Sequence, residues 1–384
     1  MTSKHTKIAP ENTLGMLGGG QLGRMFALAA AQMGYKVWVF DPSEVSPAGE
    51  VADKHIQADY DDYDALLVFG KECAVVTTEF ENIPAKTLEF LEEHCAVCPN
   101  PRAVHIAQNR IREKQFINDL GIPTANFIVV EKETDLDAAD IQWPSILKTA
   151  QFGYDGKGQQ VVNTITEAKA AFKELGKVPC VLEERVQLVK EISIVLGRNY
   201  LSEVCYYPPA NNEHHNGILH ISSVPANITS QLQTYACDYA LRIAEALDYV
   251  GILAVEYFID QHGNLLVNEI APRVHNSGHY TMDACHVSQF EQQVRMICGW
   301  PPSDTQNYCA VAMVNILGDA WVNNELPAKV LLEDINVKLH LYGKSGAKPG
   351  RKMGHFNVLA DNVNDACRYA HSAYKKLMRM SKHD

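Results

Sequence analysis

No apolar run in this 384-residue chain approaches the ~20 residues that a membrane-spanning helix needs. The N-terminal stretch "MTSKHTKIAPENT" is polar and lacks the apolar segment of a secretory signal. The chain is therefore expected to be cytoplasmic. Positive charge is scarce as well: 34 Lys and Arg stand against 46 Asp and Glu, a formal net charge of −12. A protein that tracks nucleic-acid phosphates needs the opposite balance. Neither a nucleic-acid nor a membrane partner is expected, but a small anion held by a local cluster of cations is compatible with this composition. The ten cysteines are scattered through apolar segments such as "VPCVLEE" and "NYCAVAMV", as reduced, packed thiols are. One C-x-x-C occurs, at Cys95 and Cys98, and a zinc site would want a second pair at suitable spacing. Internal repeats and low-complexity tracts are missing too.

What is present is a chain long enough for roughly two to four domains. Residues 1–112 alternate strand-like and helical stretches, which implies a parallel, Rossmann-like sheet. "AVHIAQNRIREKQFINDLGIP" reads as one long helix ending at Gly121 and Pro123. Residues 113–186 carry short strands and one helix, the pattern of a small α+β lobe. A larger strand-rich lobe is expected over 187–308 and a C-terminal subdomain over 309–384.

The first informative stretch is "LGMLGGGQLGRM", residues 14–25. Gly18, Gly20 and Gly23 fit the G-x-G-x-x-G dinucleotide fingerprint, and Asp41 closes the next strand-like run where a ribose-binding carboxylate would stand. An NAD-dependent oxidoreductase is one reading. Another is that the same backbone geometry serves a different phosphate.

The second is "LAVEYFIDQHGNLLVNEIAPR". A two-residue turn at His262-Gly263 would place Glu256 opposite Glu269 across an antiparallel ladder. Like charges facing each other are unfavourable and need a cation to offset them. Two carboxylates with the amide of Asn268 suit Mg²⁺ and its bound phosphates. The competing reading is a pair of solvated glutamates on a sheet edge. The third is "SILKTAQFGYDGKGQQVV": a strand ending at Lys148, glycines at 153, 156 and 158, then another strand. It is not a Walker motif, because no G-K-[ST] opens a helix. Such a loop still offers backbone N–H groups to phosphates, with Lys148 as a point charge. In isolation it is an ordinary glycine-rich turn.

Three further segments gain meaning beside these. "CVLEERVQLVKEISI" can present backbone donors and acceptors to a purine edge, with Glu191 near ribose hydroxyls. "NEIAPRVHNSGHYTMDAC" crowds Arg273, His275 and Asn276 into a turn before a helix, an arrangement suited to an anion. "LYGKSGAKPGRKMGHFN" makes a cationic island of Lys344, Lys348, Arg351 and Lys352 in an acidic protein.

Together "GGGQLGRM", "FGYDGKGQ", "VNEIAPRVHNSGHYT" and "GRKMGHFNVL" resemble, in order and spacing, signatures of the ATP-grasp superfamily. More narrowly they resemble the 5-(carboxyamino)imidazole ribonucleotide synthases of purine biosynthesis. The resemblance runs from about residue 13 to about 380 and implies a Rossmann-like domain, a two-lobed ATP-grasp fold and a small C-terminal subdomain. It implies an ATP-dependent carboxylation: ATP and bicarbonate give carboxyphosphate, and the amine of 5-aminoimidazole ribonucleotide takes up the carboxyl group. By the matching motifs, Glu256, Glu269 and Asn268 are expected to hold Mg²⁺, as two ions and with Mn²⁺ as a substitute. Arg110, Lys148, the loop Gly153, Tyr154, Asp155, Gly156, Lys157, Gly158 and Gln159, then Glu183, Glu184, Arg185, Val186, Glu191, His214, Asn268 and Glu269 are expected on ATP. His214 lies in "NEHHNGIL", which resembles the family's N-x-H-x-x-G-I-L. Arg273, His275 and Asn276 are expected around bicarbonate and carboxyphosphate. Gly20, Gln21, Leu22, Glu79, Asn82, Tyr154, Asp155, Lys344, Arg351 and Lys352 are expected on the ribonucleotide, with Asp155 orienting or deprotonating its amine and Lys344 counted with Arg273, His275 and Asn276 among the catalytic residues. A homodimer and a transient hand-off to a separate mutase are also implied. Formate-using or biotin-type ATP-grasp enzymes, and a non-catalytic nucleotide-binding module, are the remaining alternatives.

Overall fold

The computed structural model describes residues 7–138, 140–151, 153 and 157–381. Expectations on Tyr154, Asp155 and Gly156 lie outside the described residues.

The N-terminal sheet is all parallel and runs Lys54–Ile56, Lys36–Phe40, Thr13–Leu17, Val75–Thr78, Ala96–Val97. Strand order reverses between Thr13–Leu17 and Val75–Thr78, and ligands bind beyond the carboxyl ends of strands at such a switch point. The glycine motif and "EFEN" both leave from there. Helix Gln21–Gln32 follows the first strand and is closed by Gly34 at φ +83°, a conformation glycine adopts without penalty.

The expected single helix after residue 101 is two, Pro101–Ala107 and Arg110–Asp119. Asn109 breaks it: its backbone is extended and its side chain caps the second helix by accepting from the Ile111 and Arg112 amides, at 2.9 and 3.2 Å. The break points the second helix into the middle of the molecule and puts Arg110 at its first turn.

The small lobe is a four-stranded antiparallel sheet in the order Phe127–Val130, Cys180–Glu184, Ser145–Thr149, Gln159–Val162, backed by helix Ile165–Glu174. The remaining strands form one nine-stranded sheet. It starts at the hairpin Leu265–Ala271 and Gly251–Asp260 and passes through Leu188–Arg198, which also pairs the short strand Val204–Tyr206, then Ala210–His215 and Ile218–Val224. It then continues without interruption into Ala310–Leu317, Lys352–Ala360 and Val337–Leu341. The segment after residue 308 thus shares a sheet with the lobe before it, while its own apolar cluster gathers around helix Val363–Met380. All ten cysteines are free thiols. No helix among the described residues is long and apolar enough to cross a membrane.

Candidate active site

The three sheets meet around one cavity of about 1190 Å³. Its walls include Gln21, Leu22, Glu79 and Asn82 from the switch point and Arg110 from the central helix. The small lobe contributes Lys148, Gly153, Gln159, Glu184, Arg185 and Val186. The large sheet and the turn after it contribute Glu191, His214, Glu256, Asn268, Glu269, Arg273, His275, Asn276 and Lys352.

In the hairpin, Glu256 does pair with Glu269, but by a different route from the one the sequence suggests. The turn is one residue longer. Asp260 accepts from the Gly263 amide through its carbonyl and from the His262 and Asn264 amides through its carboxylate, and Gly263 sits at φ +78°. That shift alone would misalign the glutamates. A bulge at Asn268 restores the register, so that Tyr257 faces Val267 and Glu256 faces Glu269. The bulge also turns Asn268 and Glu269 into the same cavity, which a regular strand with its alternating faces would not. The exposed flank of this edge strand is closed: the Val267 amide donates to Pro123 O at 2.8 Å and the Ile270 amide to Glu113 Oε1 at 2.6 Å.

Carboxylates crowd here. Burial raises the Glu256 carboxyl, and the Glu269 charge raises it further. Glu113 is pushed up to about 8 by burial and then by Glu269. One cation, Arg110, and the His275 ring face them. Arg110 Nη1 lies 3.3 Å from Glu269 Oε2, and its Nη2 donates to Gly153 O. His275 Nε2 lies 3.5 Å from Glu256 Oε1. Burial, then the Arg273 charge, holds the His275 imidazole well below its usual range, which favours the neutral ring. Its Nδ1 is 2.8 Å from Ser277 Oγ, which accepts from Ser193 Oγ at 2.7 Å. The Asn276 side-chain N and O are both buried without a hydrogen-bond partner among the described residues. Arg273 Nε donates to Glu81 Oε2 at 2.7 Å, and this pairing outweighs burial to hold Glu81 low.

On the nucleotide side, Glu191 and His214 are joined at 2.6 Å. Burial opposes the charged imidazole, but the Glu191 bond and charge win and raise His214. Lys148 Nζ donates to Glu183 Oε2 at 2.8 Å. Burial lowers Lys148; the neighbouring lysines outweigh burial to keep Glu183 low. The Glu183 side chain points behind the wall, whereas Glu184 turns outward and accepts from Asn126 Nδ2 and the Gln142 amide. Lys157 and Gly158 lie off the cavity wall. Gly158, at φ +71°, returns the loop to the sheet by accepting from the Thr149 amide.

At the switch point, the Gly20 amide donates to Glu79 Oε1 and the Gly23 amide to Glu79 Oε2 at 2.8 Å. The helix N-terminus that would greet a phosphate is occupied by the protein's own carboxylate, and Gln21 and Leu22 are left to line the cavity. Burial raises Glu79 against these two bonds. Asp41 is likewise consumed, accepting from the Gly19 and Ser43 amides and from Tyr60 Oη; it has no need of a ribose. In the cationic island only Lys352 lines the cavity. Lys344 donates to Lys352 O, and Arg351 to Ser345 O and Gly346 O, so both brace their own loop. Sequence reading missed Glu81, Glu113, Lys114 and Ser193. The signal for two of them was position: Arg110, Glu113 and Lys114 stand at i, i+3 and i+4 and share one helix face.

The chain matches three family descriptions in succession: a ribonucleotide synthetase preATP-grasp domain over residues 11–108, an ATP-grasp domain over 115–290 and a phosphoribosylaminoimidazole carboxylase C-terminal domain over 311–368. It is 43% identical over 354 residues to the N5-carboxyaminoimidazole ribonucleotide synthase of Brucella melitensis, covering 91% of this chain and 97% of that one. Among solved structures, the Staphylococcus aureus N5-carboxyaminoimidazole synthetase complexed with ADP is 37% identical. It has a TM-score of 0.91, over 97% of this chain and 100% of that one. The Aspergillus clavatus synthase in complex with ADP and 5-aminoimidazole ribonucleotide is 28% identical, with a TM-score of 0.88 over the whole of both chains.

Proposed function

Because this chain belongs to the N5-carboxyaminoimidazole ribonucleotide synthase family of ATP-grasp ligases, we propose that its cavity carboxylates 5-aminoimidazole ribonucleotide with bicarbonate through carboxyphosphate. The protein is an ATP-dependent carbon–nitrogen ligase of purine biosynthesis that acts on 5-aminoimidazole ribonucleotide. One observation carries the finer reading: a single cavity joins an opposed pair of carboxylates, the cations Arg110, Lys148, Arg273 and Lys352, and the switch point of the N-terminal sheet.

Bicarbonate is a poor nucleophile and its carboxyl a poor electrophile, so the oxygen must be phosphorylated before an amine can attack. Arg110 and Lys148 hold the nucleotide phosphates and offset the charge that gathers on transfer. Arg185, Val186, Glu191 and His214 take the base and ribose, with Gly153 and Gln159 on the same wall. Arg273, His275 and Asn276, whose side-chain amide has no partner among the described residues, surround bicarbonate. Gln21, Leu22, Asn82 and Lys352 face the ribonucleotide, with Lys344 and Arg351 supporting the loop that carries Lys352 and Glu79 holding the helix start behind Gln21. The donor set fits a hard cation. Glu256 and Glu269 repel each other until a charge is shared between them, and Asn268 adds an amide oxygen. Bound there, Mg²⁺ neutralises phosphate charge.

The product is a carbamate of limited lifetime, which favours prompt delivery to a separate mutase. A cytoplasmic homodimer, with units divided near residues 112, 186 and 308, completes the proposal. The test is ADP release from Mg²⁺-ATP with bicarbonate and 5-aminoimidazole ribonucleotide each omitted in turn. Stimulation that needs both supports the reading. Release indifferent to bicarbonate points to a formate-type ligase, and release indifferent to the ribonucleotide points to another acceptor.

A further inference from the structure

Behind the cavity wall lies a charge cluster that the chemistry above does not use in full. Glu183 stands between two lysines: Lys148 Nζ is 2.8 Å from Oε2 and Lys114 Nζ is 3.3 Å from Oε1. All three side chains are out of water, at 1% exposure for Lys114, 3% for Glu183 and 9% for Lys148. Two cations sharing one carboxylate leave one positive charge in excess. Lysine is almost never buried unless paired, and the Lys148–Glu183 pair would be neutral without a third member. Lys114 therefore adds a buried charge that pairing alone does not require.

The two lysines differ in place and in bonding. Lys148 lines the cavity, and Lys114 does not. Lys114 rises from helix Arg110–Asp119, and its ammonium also lies 5.8 Å from the centre of the Phe127 ring. Lys148 makes a hydrogen bond to Glu183. Lys114 Nζ and Glu183 Oε1 are close enough to attract, yet neither has a hydrogen-bond partner among the described residues. Each retains capacity for the other.

We propose that Lys114 is a positioning residue for the nucleotide: it holds the Glu183 carboxylate so that Lys148 can leave it for an ATP phosphate. With Lys114 absent, a phosphate could recruit Lys148 only by leaving a buried carboxylate without a direct partner and with only the Arg110 charge near it, which is unfavourable. With Lys114 present, the Lys114–Glu183 pair closes its unused bond as Lys148 turns away, and the charge of the interior stays balanced. Glu183 is then a counter-ion switched between two lysines rather than a contact to ATP. The inference rests on the assignment of Lys148 to the nucleotide.

Calorimetric titration of Mg²⁺-ADP into wild type, Lys148→Met, Lys114→Met, Glu183→Gln and the double variant Lys114→Met/Glu183→Gln tests it, with melting curves alongside. Lys114→Met is expected to weaken binding about tenfold or more, and the double variant to return to within about threefold of wild type. Glu183→Gln, which frees Lys148, is expected to bind at least as tightly as wild type. Lys148→Met binding like wild type would remove the premise itself. Lys148→Met binding weakly while Lys114→Met binds like wild type would overturn the inference alone. So would weakened binding in Glu183→Gln, or a folded double variant as weak as Lys114→Met. If Lys114→Met does not fold, Glu183→Gln and the double variant decide the matter by themselves.

Discussion

Glu79, just beyond strand Val75–Thr78, and Glu256, in the middle of strand Gly251–Asp260, are both buried carboxylates, and burial raises both. Their partners push in opposite directions. Glu79 accepts from the Gly20 and Gly23 amides, which lower it. Glu256 faces the charge of Glu269, which raises it. One end of the cavity supplies its own counter-charge from a helix N-terminus; the other concentrates negative charge and leaves it to be balanced. A self-satisfied carboxylate serves the fold, whereas an opposed pair is a standing requirement for a cation. The difference teaches that the dinucleotide-like motif is a structural joint here, and that the electrostatic tension of the site resides in the hairpin.

Three experiments would break or sharpen this contrast. The largest effect is expected from Glu269→Gln, which removes one side of the opposed pair. Its kcat for ADP release should fall on the order of 10²–10³-fold, while its melting temperature, measured without ligand, should rise because the repulsion is gone. A variant that keeps its activity would break the contrast. Second is the pH dependence of the ligand-free protein. Glu113 has its folded pKa, about 8, above its unfolded value, so it holds a proton in the native state that the unfolded chain has already released. Its contribution is complete below about pH 4.5 and is lost as pH rises toward 8, at up to about 1.4 kcal/mol per pH unit. Urea titrations between pH 5 and 8 should show this decline, and Glu269→Gln should flatten it, because Glu269 contributes to the shift. A slope unchanged in that variant would refute the coupling. The smallest effect is expected at the other end. Glu79→Gln keeps the shape but sets an amide N–H₂ against a backbone N–H, at a loss of about 1–3 kcal/mol in stability. The denaturant midpoint would report it. A loss of binding for the ribonucleotide without a loss of stability would mean that Glu79 belongs to the ligand rather than to the helix.

Much of this was legible in the residues, and the exceptions have physical reasons. Alternating strand and helix announced the parallel sheet, and the Glu256–Glu269 pairing followed from counting back from a turn. The count succeeded because two departures cancelled, one residue added in the turn and one at Asn268; bulges leave no mark that a turn-based count can see. The broken helix escaped notice because Asn109 is as acceptable inside a helix pattern as at its start, and only the extended backbone reveals the cap. Glu113 and Lys114 sit in "RIREKQFIND", which has the look of a solvated face. They are buried because the helix is wedged between the hairpin and the small lobe, a fact of tertiary placement. Lys344 and Arg351 show the converse: basic residues in a glycine-rich loop promise an anion, yet their first obligations are to the carbonyls of that loop.

The unbroken nine-stranded sheet has a consequence for protein engineering. Ile218–Val224 and Ala310–Leu317 are adjacent strands in register, Ile221 against Val314, although about 90 residues of chain separate them. A chimaera that imports its last segment from a relative must match that seam strand by strand. A truncation at the same point would expose a long row of unpaired amides, the kind of edge that recruits other chains into aggregates. The seam, rather than the linker at residue 308, is where such grafts should be designed.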